Sequence, residues 1–220
     1  LFWGRMMESK DKAYRYDDLL RLAAELLGKA GMDVDIAAVV AEVLVEGDLL
    51  GHTTHGLALL PAYLQELEQG TMMGRGVPEV IADRRSAVTL NGRYLPGPWL
   101  IHWAIDLAFE RIGKHPVVTV VVRRSHHTAA LAAFAKRVTD RGYIFLMTCS
   151  DPSVRSIAPF GGLEPLYTPN PIAAGFPTEG DPVIIDISTS CTANGVTNRL
   201  YGEGAHLAQS LAAGQQGGSE

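Results

Sequence analysis

The sequence contains no run of lysine or arginine, and its formal net charge is −5 at pH 7. Binding to phosphate backbones or anionic membranes needs clustered positive charge, so nucleic-acid and membrane partners are set aside. Long apolar runs are also missing: the longest, such as Val117 to Val122, fall far short of the roughly 20 residues of a membrane span. The N-terminus has Trp3, Arg5, Glu8, Lys10 and Asp11 where a secretory signal would have an apolar stretch. Cysteine is scarce. Cys149 and Cys191 have no CxxC spacing and read as ordinary buried thiols of a cytoplasmic protein. No GxGxxG follows the first strand and no Walker sequence occurs, so motif rules alone do not identify a dinucleotide site.

What is present is the composition of a folded chain, with 47% apolar and 20% charged residues in a length of 220. That is enough to bury a core, as one large domain or two small ones. Residues 1–15 lack apolar periodicity and read as a disordered tail, with Met6 or Met7 a candidate start of translation. Residues 16–75 read as a helical portion. Leu19, Leu20, Ala23, Leu26 and Leu27 follow an Asp17 or Asp18 cap. Ile36, Val39, Val40, Val43 and Leu44 form a second helix from Asp33, and Leu57, Leu60, Leu64 and Leu67 a third over about 56–69. Pro61 is tolerable there only in a first turn or at an irregularity.

Residues 76–201 read as an α/β portion. Strands are expected at 79–82, 87–90, 117–122, 143–148, 172–176 and 183–187, with helices at 99–112 and 129–140 and a turn at Asn91-Gly92. The Pro-, Gly- and Ser-rich stretch 150–171 suggests a long functional loop. Residues 202–220 read as a second tail, and the last seven are built only of Gly, Gln, Ser and Glu.

Three clusters carry chemistry. In Gly51-His52-Thr53-Thr54-His55-Gly56, between two helices, a histidine with an unperturbed pKa of about 6.5 can transfer protons near neutrality, and Thr54 can orient it. The same residues also suit a helix cap and turn. A metal site built from His52, His55, His126 and His127 is a further alternative, although the spacing is not HExxH. The second cluster, Arg123-Arg124-Ser125-His126-His127-Thr128, sits between a strand and a helix, where backbone N–H groups attract anions. The third is Asp186, a carboxylate closing the apolar strand 183–187. Burying it requires a partner, which a histidine would supply, unless Asp186 simply caps the segment that follows.

Five motifs occur in order. They are Asp48-x-x-Gly51-His52-x-Thr54-His55-Gly56 with Leu60-Pro61-x-Tyr63, then Ser125-His126-His127-Thr128-Ala129-Ala130, Ala158-Pro159-Phe160-Gly161-Gly162, Asn170-Pro171-Ile172-Ala173, and Asp186-Ile187-Ser188-Thr189-Ser190. Over roughly residues 16–198 the chain resembles the malate/L-lactate dehydrogenase-like oxidoreductases. That family also includes ureidoglycolate dehydrogenase, 2,3-diketogulonate reductase and piperideine-2-carboxylate reductase.

The resemblance implies a non-Rossmann fold with a mixed sheet, NAD or NADP as cofactor, a homodimer, and interconversion of small 2-oxo or cyclic 2-imino acids with their 2-hydroxy or 2-amino counterparts. It implies His55 as proton donor with Thr54 beside it and Asp186 as its carboxylate partner. His126 corresponds to a second acid–base histidine. Arg124, Ser125, His126, His127 and Thr128, together with Phe176, Pro177, Thr178 and Thr189, correspond to cofactor contacts, and His52, Tyr63 and Ile187 to substrate contacts. Leu59 stands where many relatives have an arginine that clamps a carboxylate. Relatives continue beyond the Asp186 region, so the chain is expected to be C-terminally truncated, with apolar strands partly uncovered. A non-catalytic family remnant that only binds or dimerises, and a histidine-based metallohydrolase, are the rival expectations.

Overall fold

The computed structural model of the chain describes residues 13–151 and 153–190. Most of the first expected tail, all of the second, and Cys191 lie outside the described residues.

Three helices open the fold: α1 (Tyr16–Lys29), α2 (Val34–Leu49) and α3 (Leu60–Gln69). In α1 the apolar spacing buries Ala23 and Leu27. Arg15, rather than Asp17 or Asp18, holds the N-cap position, because Tyr16 already joins the helix. The two aspartates lie in the first turn, where negative charge complements the helix dipole, and Asp18 accepts a hydrogen bond from Arg21 at 2.7 Å. Helix α2 is apolar on several faces and is the central element. It buries Ile36, Ala37, Val40, Ala41, Val43, Leu44 and Val45 against α1, the helix Gly97–Ile112 and the segment 131–134. Each fully buried Leu, Ile or Val stabilises by about 1.5–3 kcal/mol. The expected third helix splits into a 3-10 turn, Leu57–Leu59, and α3, which carries Pro61 in its first turn. Gly70 closes α3 at φ 72°, a left-handed conformation that glycine adopts without strain.

Among the described residues the strands form two three-stranded sheets, where the sequence suggested one mixed sheet. In the first, β1 (Glu79–Asp83) is antiparallel to β2 (Ala87–Asn91), which is parallel to β3 (Thr119–Arg123). Helix α4 (Gly97–Ile112) makes the crossover between β2 and β3, so this sheet is mixed. Its hairpin turns at Arg84–Ser86, with Arg85 at φ 66°, while Asn91-Gly92 ends β2. The second sheet, β4 (Phe145–Thr148), β5 (Ile172–Phe176) and β6 (Val183–Ile187), is wholly antiparallel. Neither has a doubly wound parallel order.

The helix expected at 129–140 is shorter: a 3-10 turn, Leu131–Phe134, leads into α5 (Ala135–Thr139). Ala129 is buried at φ 60°, which an α-helix cannot accommodate. One continuous core joins the helical and α/β portions, running from Ala23 and Leu44 through Leu100 and Phe134 to Ala173. Val121, Ile185 and Ile187 stay exposed on the outer sheet faces. No helix among the described residues is long and apolar enough to cross a membrane.

His102, on α4, packs edge-on against Phe134 with ring centroids 5.9 Å apart. Burial, helped by the charge of Arg137 and opposed by Asp106, pushes its pKa down to about 4. Below pH ~6.5 the unfolded chain takes up a proton on this ring that the folded chain refuses, so the unfolded state binds more protons and stability decreases as the pH is lowered. The window closes at about pH 4. Thermal unfolding between pH 7 and pH 4.5 should therefore show a shallower loss of Tm in His102→Gln than in the wild type, and equal slopes would contradict this account.

Candidate active site

The first cluster is shaped by backbone bonds at the end of α2. Gly51 N–H donates to the Asp48 carbonyl at 3.0 Å, His52 N–H to Gly47 at 2.8 Å, and His55 N–H to His52 at 2.7 Å, which makes 52–55 a tight turn. The Asp48 carboxylate accepts Leu57 N–H at 2.9 Å and caps the 3-10 turn. A Cβ on Gly56 would run into that carboxylate, which explains the pairing of Asp48 with Gly56 in the motif. Thr54 Oγ1 lies 3.0 Å from His55 Nδ1. His55 is half-buried, and burial, then His52, lowers its pKa, while the charge of Asp186 opposes them.

The second cluster is a strained turn docked on its neighbour. Arg124 and Ala129 have φ of 53° and 60°. A ladder of backbone bonds ties the turn to 92–97: Gly92 N–H to Arg123 O (2.7 Å), Tyr94 N–H to Arg124 O (2.7 Å), His126 N–H to Leu95 O (3.0 Å) and Gly97 N–H to His127 O (3.2 Å). Ser125 Oγ donates to the His126 carbonyl at 2.8 Å, and Thr128 Oγ1 faces Cys149 Sγ at 3.9 Å. Tyr63, 1% exposed, donates to the His127 carbonyl at 3.2 Å and lies 3.1 Å from His127 Nδ1. The His55 and His127 rings stack with centroids 5.7 Å apart. His127 keeps an exposed edge yet is crowded by protein. That crowding first, then the His55 and His126 imidazoles, pushes its pKa down to about 4. His126 Nε2 is 3.2 Å from Glu66 Oε2. His52, Thr54, His55, Tyr63, His126 and His127 thus form one group.

Asp186 closes β6, and its charge reaches both His55 and Cys149. Its hydrogen bond, however, goes to Ala132 N–H at 2.8 Å. It therefore caps the upstream turn at 131–134 and, among the described residues, bonds neither His55 nor the segment that follows. One backbone N–H at the start of the turn 131–134 is thus taken by the chain's own carboxylate.

Phe176, Pro177 and Thr178 are not brought to the histidines. They lie at the turn of the β5–β6 hairpin, while Asp186 pairs with Ala173 near its other end, ~10 Å or more along the strands at about 3.3 Å per residue. Thr178 Oγ1 is spent on the turn, bonding Asp181 O at 2.8 Å. Ile187 projects to the opposite face from Asp186 and is 61% exposed. Thr189 donates through both N–H and Oγ1 to Pro169 O, at 2.9 and 2.8 Å, pinning the loop 150–171 to the end of β6. Cys149 is half-buried rather than buried, and burial raises its pKa.

That loop borders a cavity of about 360 Å³ lined by Ser150, Arg155, Tyr167, Thr168 and Asn170 among others. Ser150 in its lining is flanked in the chain by Cys149 and Asp151, and the charge of Asp151 is felt by His127. Sequence reasoning overlooked Glu66 and Arg155. The signal for Glu66 was available: Tyr63 and Glu66 are three apart on α3 and so share a face.

Among the described residues no group of three or more His, Cys, Asp or Glu is placed to hold a metal ion. The donor set suits a flat, anionic organic cofactor better. The imidazoles of His55 and His127 stack, and Arg123 and Arg124, exposed at the start of the same turn, have no ion pair among the described residues.

A family model described as malate/L-lactate dehydrogenase matches residues 14–219. Hydroxycarboxylate dehydrogenase B of Escherichia coli O157:H7 is 28% identical over 175 residues, covering 79% of this chain and 48% of that protein. L-lactate dehydrogenase of Cupriavidus necator is 31% identical over 176 residues, 79% of this chain and 50% of its own length. Among solved structures, malate dehydrogenase of Entamoeba histolytica superimposes with a TM-score of 0.82 at 25% identity, over 90% of this chain and 55% of the other. The chain spans about half the length of the curated relatives it matches.

Proposed function

The chain belongs to the malate/L-lactate dehydrogenase family, and on that premise we propose that its site transfers a hydride between NAD(P)H and a small 2-oxo or cyclic 2-imino acid, with His55 moving the accompanying proton. The observation that carries this is the juxtaposition of His55, His126 and His127 around Tyr63, with His55 Nε2 making no hydrogen bond among the described residues. When bound, the cofactor supplies the hydride, which the protein cannot.

His55 governs the proton. Thr54 at Nδ1 orients the ring and leaves Nε2 available to a substrate. With its pKa lowered, the ring is mainly neutral near pH 7 and serves as the base that accepts a proton from a 2-hydroxy acid. A substrate carboxylate beside it, adding to the charge of Asp186, raises the pKa again and favours the imidazolium that delivers a proton during reduction. Arg124, Ser125, His126, His127, Thr128 and Thr189 form the candidate cofactor wall. His52 and Tyr63 are candidate substrate-side groups, and Tyr63 acts through His127. NAD and NADP are both compatible with this set. A homodimer agrees with the exposed loop residues Phe160 and Leu163, 86% and 95% accessible, since large apolar patches mark contact surfaces. A cytoplasmic location accompanies the reading.

A carboxylate substrate needs a cation, and Leu59 is not one. Arg155, in the lining of the cavity bordered by the loop 150–171, has no ion pair among the described residues and supplies a guanidinium suited to bidentate binding. Arg155→Ala should raise KM for the acid by roughly tenfold or more, as expected for loss of a charge-assisted bond of about 1.5–3 kcal/mol, and should leave nicotinamide affinity intact. An unchanged KM would remove Arg155 from the site.

The function itself is tested by following NADH and NADPH absorbance with a panel of 2-oxo acids, alongside calorimetry with each cofactor. Turnover supports the oxidoreductase. Cofactor binding without turnover would mark a chain that keeps the surface but not the chemistry, and the absence of both binding and turnover would refute the proposal.

A further inference from the structure

The histidines of the second cluster are not equivalent, and the difference originates on α3. Nδ1 of His126 accepts the His127 backbone N–H at 2.8 Å, which requires a lone pair on that nitrogen. In the neutral ring the proton then resides on Nε2, and Nε2 is 3.2 Å from Glu66 Oε2. Both nitrogens are therefore committed within the protein. To give up its Nε2 proton to a substrate, the ring would have to leave Glu66 as a half-buried carboxylate without that partner.

We infer that Glu66 is a positioning residue that locks His126 as its Nε2–H tautomer, takes it out of proton transfer, and leaves His55 as the acid–base group of the site. The consequences pass along the backbone. With Nδ1 fixed on His127 N–H, the 126–128 turn is held where the His127 carbonyl receives both Tyr63 Oη and Gly97 N–H. Tyr63 and Glu66 reach the turn from the same face of α3, and the Tyr63 ring stands edge-on to His126 with centroids 6.1 Å apart. The groups facing His126 are thus Glu66 and Tyr63 from α3 and His127 from its own turn. Burial lowers the His126 pKa and the Glu66 charge counters it. The assignment of roles rests on the proposed function, but the tautomer does not.

The test is NMR of the full chain labelled with 15N-histidine, where two-bond couplings distinguish the tautomers, on wild type, Glu66→Gln and Glu66→Leu. The wild type should show His126 as Nε2–H alone at pH 8. Glu66→Gln, whose amide oxygen accepts the same proton, should keep that tautomer and titrate at lower pH, because the negative charge is gone. Glu66→Leu should give a mixture of tautomers. In turnover, Glu66→Gln should leave the pH–rate limb in place, because that limb belongs to His55. Glu66→Leu should disturb KM more than kcat. An Nδ1–H ring in the wild type, an unaltered tautomer and titration in Glu66→Leu, or a pH–rate limb that shifts in Glu66→Gln would overturn the inference. If no acid is reduced by any form, the proposed function fails while the spectra still decide the tautomer.

Discussion

His55→Ala should lower kcat for 2-oxo acid reduction by roughly 10²–10⁴-fold, the usual contribution of a positioned general acid, while the chain still folds and still binds the reduced nicotinamide. Several features separate this ring from its neighbours. Its Nδ1 faces a hydroxyl, Thr54 Oγ1 at 3.0 Å, which can donate or accept and so follows the ring through both protonation states. Nε2 has no protein partner among the described residues, whereas His126 has both nitrogens occupied. The turn that carries His55 is held by Asp48 and by backbone bonds at 52–55 that do not involve the imidazole, so its removal leaves the scaffold standing. Circular dichroism and cofactor calorimetry on the variant verify the fold and the binding, and stopped-flow absorbance gives the rate. Retention of more than about a tenth of the wild-type kcat would exclude His55 as the proton donor. Thr54→Val, which keeps the volume and removes the hydroxyl, should produce a smaller loss, since it disturbs the orientation of the ring and not the proton itself.

The parts of this molecule legible in the sequence are those decided by neighbours close in the chain. The apolar spacing of α1 and α2, the glycine stop after α3, and the strands 172–176 and 183–187 agree with the structure residue for residue or nearly so. So does the Thr54–His55 contact, which joins adjacent residues. What escaped depends on long-range contacts. The helix expected at 129–140 starts late because Ala129 is held at φ 60° with its N–H directed at His127 Nδ1. No propensity scale records that constraint, since tertiary context overrides propensity. Asp186 was expected against His55, but its bond goes to Ala132 N–H, 54 positions away in the chain. From the strand pattern alone, a cap and a catalytic partner look alike. Phe176 to Thr178 follow an apolar strand just as residues 188–190 do, and only the antiparallel hairpin shows that the two segments lie at opposite ends of it.

Gly97→Ala should unfold at lower temperature and lose activity together, because Gly97 is where the core helix and the site turn meet. A Cβ at Gly97 would collide with the His127 carbonyl and come within 2.7 Å of Thr128 Cα and 2.8 Å of the His126 carbonyl. All three obstacles are backbone, so no side chain can swing aside, and the turn must shift as a unit. Overpacking of this kind typically costs about 1–3 kcal/mol, which for a chain of this size corresponds to ~2–4 °C of Tm per kcal/mol. The shift would also lengthen Gly97 N–H to His127 O, now 3.2 Å, and move the carbonyl that holds Tyr63. Gly113, at the other end of α4, provides the control. It has φ −66° and ψ −15°, and a Cβ there meets nothing within 4 Å. Gly113→Ala should therefore be neutral or slightly stabilising, through reduced freedom of the unfolded chain. Differential scanning calorimetry of the two variants, with kcat and KM measured on each, separates a local packing effect from a general intolerance of α4. Equal Tm values for Gly97→Ala and Gly113→Ala would mean that the turn at 126–128 yields freely and that its close approach to α4 does not hold the histidines in place.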